Sequence, residues 1–162
     1  MPGESGEILV HTPGMASGYL GDPELTAMRF RDGWFWTGDM GHMSADGALV
    51  VEGRRDDMMI LNGINIFPAE IEETLERHSD VRAAAAAAIR SETHGDIPVA
   101  VVELQEGSGT TVAELLAFAR QRLALRAPRR IAVVDAIPRN SQGKALRHKV
   151  LEIVMSGRQR RE

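Results

Sequence analysis

Arg54-Arg55-Asp56-Asp57-Met58-Met59-Ile60-Leu61-Asn62-Gly63-Ile64-Asn65-Ile66-Phe67-Pro68-Ala69-Glu70-Ile71-Glu72 is the stretch from which the architecture can be read. Four consecutive charges interrupt two apolar segments, which marks a boundary between two units and a joint short enough to pivot. Residues 58–61 and 64–67 flank Asn62-Gly63, a dipeptide suited to a two-residue turn with positive φ at both central positions, so a hairpin is expected. Pro68 suits a first helical position, where its missing N–H needs no partner, and Ile71, Leu75 and His78 recur at helical spacing. A helix over 68–78 follows, with Glu73 four residues before Arg77 as an exposed pair.

Upstream of this stretch, glycines at 3, 6, 14, 18, 21, 33, 38, 41, 47 and 53 punctuate short apolar pieces, the pattern of strands and turns. Strands are expected over 7–11 and 48–52, the second entered through the Asp46-Gly47 turn. Downstream, six alanines at 83–88 have the best helix propensity of any residue, yet Val81, Ile89 and Gly95 around them fit a buried strand, and the residues leave both open. Residues 97–104, rich in Val, read as a strand buried on both faces. Thr111 and Glu114 form a capping box opening a helix that carries Val112, Leu115, Leu116, Ala119 and Leu123 on one face and ends before Pro128. A strand over 131–134, a polar loop over 138–144 and a helix over 146–155 complete an α+β chain with a sheet covered by helices on one side.

The 162 residues are 43% hydrophobic and 26% charged, enough for a packed core. Nineteen Lys and Arg against 23 Asp and Glu give a formal charge of -4, which argues against nucleic acid or anionic lipid as a partner. Arg158, Arg160 and Arg161, beside Gln159 and Glu162, read as a solvated end. The absence of Cys removes disulfides, thiolate metal sites and a Cys nucleophile, and points to the cytoplasm. No run reaches the length of a membrane span, and Met1-Pro2-Gly3-Glu4-Ser5 has neither the basic start nor the apolar stretch of a signal peptide.

Three polar clusters stand out: Thr37-Gly38-Asp39 after Trp34, Phe35 and Trp36, Arg54-Arg55-Asp56-Asp57, and Ser141-Gln142-Gly143-Lys144. Taken singly they read as a turn with packed aromatics, a solvated surface and a loop. The last is no phosphate-binding P-loop, since Pro138 stands five before Gly143 and Ala145 replaces the hydroxyl residue that would meet Mg²⁺. His11, His42, His78, His94 and His148 show no ligand spacing, so no metal site is expected, and no Gly-x-Ser-x-Gly elbow occurs.

In their order and spacing, however, the clusters resemble the core motifs of the adenylate-forming superfamily of acyl-CoA synthetases, aryl-CoA ligases, luciferases and peptide-synthetase adenylation domains. Gly6-Glu7-Ile8-Leu9-Val10 through Gly18-Tyr19-Leu20, with Pro23-Glu24-Leu25-Thr26 and Phe30, is similar to the sixth motif. Gly33-Trp34-Phe35-Trp36-Thr37-Gly38-Asp39 is similar to the seventh, Gly53 through Glu72 to the eighth, and Pro138 through Arg147 to the tenth. The resemblance implies that residues 1–55 end the β-barrel of a large domain and that 56–162 form a small mobile C-terminal domain. It also implies a strand at 83–88. The phosphate loop ending in Pro-Lys and the Tyr-Gly-x-Thr-Glu segment are not found. A large N-terminal adenylation domain is thus the expected partner, holding Mg²⁺, most of ATP or AMP, and the acyl pocket.

The implied reaction joins a carboxylic acid to AMP from ATP, then passes the acyl group to a thiol of coenzyme A or a carrier-protein pantetheine. Lys144 would be the catalytic residue of the first step, Asp39 would bind the ribose hydroxyls and Arg54 assist there. Asp56 would be the hinge, and Gly63 would line the thiol path, where a side chain would obstruct. Asn65, where many members have Arg or Gln, counts with the cofactor-binding residues, and its context resembles acyl-CoA ligases more than peptide-synthetase modules. The isolated chain is expected to be inactive and to self-associate through exposed barrel strands. A free-standing module supplying Lys144 in trans and a non-catalytic regulatory domain stay open, as does the acyl substrate.

Overall fold

The structure, a computed structural model, describes residues 3–157, so the expectation for Arg158, Arg160 and Arg161 lies outside the described residues. The chain divides into two compact units, one ending at Asp57 and the other beginning at Met58.

The first unit is an antiparallel sheet built on one long strand. It contains β1 (Gly6–Val10), α1 (Pro23–Arg29), β2 (Phe30–Arg31), β3 (Trp34–Met43) and β4 (Leu49–Arg54). β1 runs along one side of β3, while β2 and β4 share the other, β2 at its start and β4 at its end. Trp34, Phe35, Trp36, Thr37, Gly38 and Asp39, read above as a turn, lie inside β3. The reversal occurs just before them, at Asp32 (φ 52°) and Gly33 (φ 79°), an Asp-Gly pair that fits the hairpin turn linking β2 to β3. Helix α1 was also not expected among the glycines. Its signal is Asp22-Pro23-Glu24: the Asp22 side chain accepts from the Leu25 N–H at 2.9 Å and proline opens the first turn. Among the described residues of this unit, no hydrophobic side chain is buried.

The second unit has the expected hairpin, β5 (Met59–Leu61) and β6 (Ile64–Ile66), with Asn62 at φ 49° and Gly63 at φ 80° between them. Then come α2 (Pro68–Glu76), β7 (Val81–Ser91), β8 (Gly95–Leu104), α3 (Val112–Leu123), β9 (Arg130–Val133) and α4 (Arg147–Ser156). β8 is the central strand, antiparallel to β7, parallel to β9 and joined to β5 where Leu61 pairs Gly95. The capping box of α3 forms as expected, Thr111 and Glu114 each accepting from the other's backbone N–H. α2 stops two residues early, at Glu76, and His78 beyond it packs edge-on against Phe118 of α3 at 4.8 Å.

The six alanines are a strand, and their alternation shows why. Ala84 and Ala86, with Ala100 and Val102 of β8, pack against Ile71 and Leu75 of α2 and Leu115 and Ala119 of α3. Ala85 and Ala87, with Val99 and Val101, face Val150 and Val154 of α4. Helices therefore cover both faces of the sheet, not one. A strand apolar on both faces requires that cover, and alanine lets both helical layers come close. β7 is an edge strand, and its outer side is occupied. Ala84 N–H donates to Glu76 Oε1 at 3.0 Å, Ala86 N–H to Glu72 Oε1 at 2.9 Å, and Arg147 donates to the Ala86 carbonyl. Those contacts leave little of the edge for another strand to add to. Among the described residues, no helix is long and apolar enough to cross a membrane.

The loop after β9 is tied back to β8 by Glu103, a buried carboxylate. Its Oε1 accepts the Ile137 N–H at 2.7 Å and its Oε2 accepts Arg82 Nε at 2.9 Å. Burial pushes this carboxyl up, but the Ile137 N–H, the Arg82 guanidinium and the more distant Arg139 outweigh it and hold it below the ordinary value of 4.5.

Two consequences can be measured by urea unfolding. Ala86→Leu, which forces a larger side chain under α2, should lower stability by about 1–3 kcal/mol. Glu103→Gln should cost about 1–3 kcal/mol at neutral pH. Because the native carboxyl gives up its proton more readily than the unfolded one, its contribution is present above the unfolded pKa. It is lost as pH falls through the lower folded value, so the gap between wild type and variant should close below pH 4.5.

Candidate functional site

Asp39 stands directly across from Arg54 in the β3–β4 register. Arg54 Nη1 donates to Asp39 Oδ1 at 2.8 Å and to the Thr37 carbonyl at 2.9 Å. Asp39 is about a third exposed (36%), so its carboxylate is held from one side and open to solvent on another. Gly38, between Thr37 and Asp39, has φ 77°, and a Cβ there would lie 2.5 Å from Arg29 Nη1 and 3.0 Å from Arg54 Nη2. Two guanidinium groups thus close over the strand at Gly38, which has no side chain to obstruct them.

Glu7 continues the network, its Oε1 accepting the Gly38 N–H at 3.1 Å and its Oε2 accepting Arg55 Nη1 at 2.7 Å. Arg29 Nη1 donates to the Trp36 carbonyl at 3.3 Å, and its Nη2 is 3.9 Å from Asp56 Oδ2. Asp56 sits in a single 3₁₀ turn, Arg55–Asp57, that closes the first unit. Arg29 and Glu7 were not singled out by the sequence reading. The available signal for Arg29 was a basic residue in the last turn of α1, visible only once that helix is recognised.

In the second unit, Gly63 and Asn65 lie on the β5–β6 hairpin, both exposed. A Cβ on Gly63 would meet nothing within 4 Å, so within this chain the turn's φ of 80° is what favours glycine. The hairpin is braced by the β7–β8 turn. Asn62 N–H donates to the His94 carbonyl at 2.9 Å, and Ile60 N–H to Asp96 Oδ2 at 3.1 Å. Gly95 has φ 80°, and a Cβ there would collide with the Ile60 carbonyl oxygen.

Lys144 is exposed on the loop between β9 and α4. The loop is short-circuited at its base, where Arg139 bridges Ala145 and Leu146 N–H donates to the Pro138 carbonyl at 2.8 Å. The structure therefore joins Asp39 to Arg54 and sets Gly63 beside Asn65. It puts Lys144 on a separate loop of the second unit. The hairpin is tied to the start of β8 and the Lys144 loop to its end, eight residues on, a span of about 25–30 Å. Among the described residues, no group of three His, Cys, Asp or Glu could hold a metal ion.

Residues 70–144 match the AMP-binding enzyme C-terminal domain. The 2-succinylbenzoate–CoA ligase of Geobacillus kaustophilus is 44% identical over 94% of this chain and 31% of its own length. Among solved structures, the amide bond synthetase McbA of Marinactinospora thermotolerans superposes with a TM-score of 0.85 at 36% identity, over 93% of this chain and 31% of that one. The o-succinylbenzoate CoA synthetase of Bacillus subtilis, solved in complex with its acyl-adenylate intermediate, gives 0.85 at 34% identity, over 92% and 31%. The chain thus spans about a third of the length of these relatives. Aligned with these relatives across nearly all of its residues, the chain corresponds to the C-terminal part of adenylate-forming enzymes.

Proposed function

We propose that the chain is the C-terminal part of an acyl-CoA synthetase that activates a carboxylic acid with ATP and transfers the acyl group to the thiol of coenzyme A. In this reading residues 1–55 finish the β-barrel of a large domain and 56–162 form the mobile domain. The observation that carries it is the pair of exposed, braced loops tied to opposite ends of β8, one bearing an ammonium and the other a glycine at its turn.

In the first step a carboxylate oxygen attacks the α-phosphorus of ATP and pyrophosphate leaves. Negative charge grows on the phosphoryl oxygens, and the Lys144 ammonium is the group that meets it. A compact cation on a flexible stem suits a residue that has to arrive and withdraw. Asp39, fixed through Oδ1 by Arg54, accepts hydrogen bonds from the ribose hydroxyls. In the second step the thiol gives up its proton to solvent, its sulfur attacks the acyl carbon, and AMP leaves with the bonding pair. The Gly63 turn lines that approach, with Asn65 beside it, and the short turn around Asp56 is the joint about which the domain changes its presented end. Mg²⁺ and the acyl pocket belong to the N-terminal domain.

Exposed Leu9 and Val10 of β1 and Leu49, Val50 and Val51 of β4 support that domain as the missing neighbour, since a sheet without a buried apolar side chain has no core of its own. Self-association of the isolated chain through the same strands follows. Coenzyme A is preferred to a carrier pantetheine on the names of the two CoA-forming relatives, and the lack of cysteine suits the cytoplasm.

Joined in frame to the N-terminal portion of the Geobacillus ligase, the chain should support acid-dependent ATP–pyrophosphate exchange and thioester formation. In that fusion Lys144→Ala should slow exchange about 10²–10³-fold. Thioester formation from supplied acyl-adenylate should persist. Exchange unchanged by Lys144→Ala would overturn the reading, and an amine accepted in place of the thiol would reassign the second substrate.

A further inference from the structure

Lys144 leaves the backbone from an exposed loop with no regular structure, and its usefulness depends on how firmly its Cα is held. One neighbouring residue holds it. Lys144 N–H donates to Asn140 Oδ1 at 2.9 Å, and the Lys144 carbonyl accepts the Asn140 N–H, also at 2.9 Å. The same Oδ1 accepts the Gln142 N–H at 3.0 Å, and the Asn140 carbonyl accepts the Gly143 N–H at 2.9 Å. Both backbone polar groups of Lys144 are therefore bonded to Asn140. The side-chain bonds are the ones an asparagine is suited to make, since its short amide reaches its own backbone two and four residues on.

The rest of the loop closes around this clamp. Gly143 at φ 80° reverses the chain, and Arg139 Nη1 donates to the Gly143 carbonyl at 2.9 Å. Asn140, Gln142, Gly143 and Lys144 are all exposed. Losing the Oδ1 bonds would hand two N–H groups to water and leave the core untouched, so the arrangement contributes more to geometry than to stability.

Resting on the role given to Lys144 above, we propose that Asn140 is the positioning residue for the Lys144 ammonium, needed for acyl-adenylate formation and dispensable for thiol transfer. A misplacement of about 1 Å at a reacting group costs up to about 10²-fold in rate.

Two measurements test this. In the 162-residue chain, Asn140→Ala should speed amide hydrogen exchange at Gln142 and Lys144 while Val99–Val102 keep their protection. In the fusion described above, the same substitution should lower kcat for adenylation about 10–100-fold, with KM for ATP unchanged. Thioester formation from supplied acyl-adenylate should hold its rate, and Asn140→Asp, which keeps the accepting oxygen, should retain most of the adenylation rate. Adenylation unchanged in Asn140→Ala, while Lys144→Ala still slows it, would overturn this proposal alone. Adenylation indifferent to both would overturn the role of Lys144 itself. Loss of protection in Val99–Val102 would make Asn140 a folding residue and also overturn the proposal.

Discussion

Val99, Ala100, Val101 and Val102 are wholly excluded from water (0% exposed), and the second unit is arranged around that burial. A strand apolar on both faces cannot be covered by one helical layer. α2 and α3 close one face and α4 the other, bringing apolar stripes from three helices onto a single strand. The neighbouring strand is alanine for the same reason, because larger side chains on either face would hold the helices off the β8 valines. Here packing overrides intrinsic helix propensity, a local preference that is small beside the burial of two hydrophobic clusters.

The features legible in the sequence are those whose cause lies within a few residues. Asn62-Gly63, Pro68 and the Thr111–Glu114 box each satisfy a backbone requirement set by their immediate neighbours, and each appears where the residues place it. Asp32-Gly33 and Asp22-Pro23 carry equally good local signals, but among so many glycines the aromatic run Trp34-Phe35-Trp36 suits a turn as well as a strand. The resemblance to core motifs, not periodicity, decided the alanine strand.

What could not be read is the choice of partner across the chain. Glu103 accepts from Ile137 34 residues away, Arg55 from unit's end reaches Glu7 across 48, and Arg147 reaches Glu72 across 75. Nothing in the local order of charges selects these pairs. They follow from strand order and helix layering, which bring distant segments to one edge. The same limit hid Arg29, whose place over Gly38 depends on a helix, a hairpin turn and a strand register all being in position.

On the proposed function, the central strand also accounts for two reactions served by one small domain. Its start is welded to the β5–β6 hairpin by Gly95 and Asp96, and its end to the Lys144 loop by Glu103. Apolar side chains reinforce both ties, Leu61 and Ile66 of the hairpin in one cluster and Ile137 before the Lys144 loop in the other. The two ties lie about 25–30 Å apart along the strand, so on the proposed function the two loops act from different parts of the domain. On the proposed function, adenylation needs a cation against growing phosphoryl charge and thiol transfer needs that cation gone and an open path. A rigid body carrying the two tools at opposite ends meets both needs by turning, with no refolding of its own.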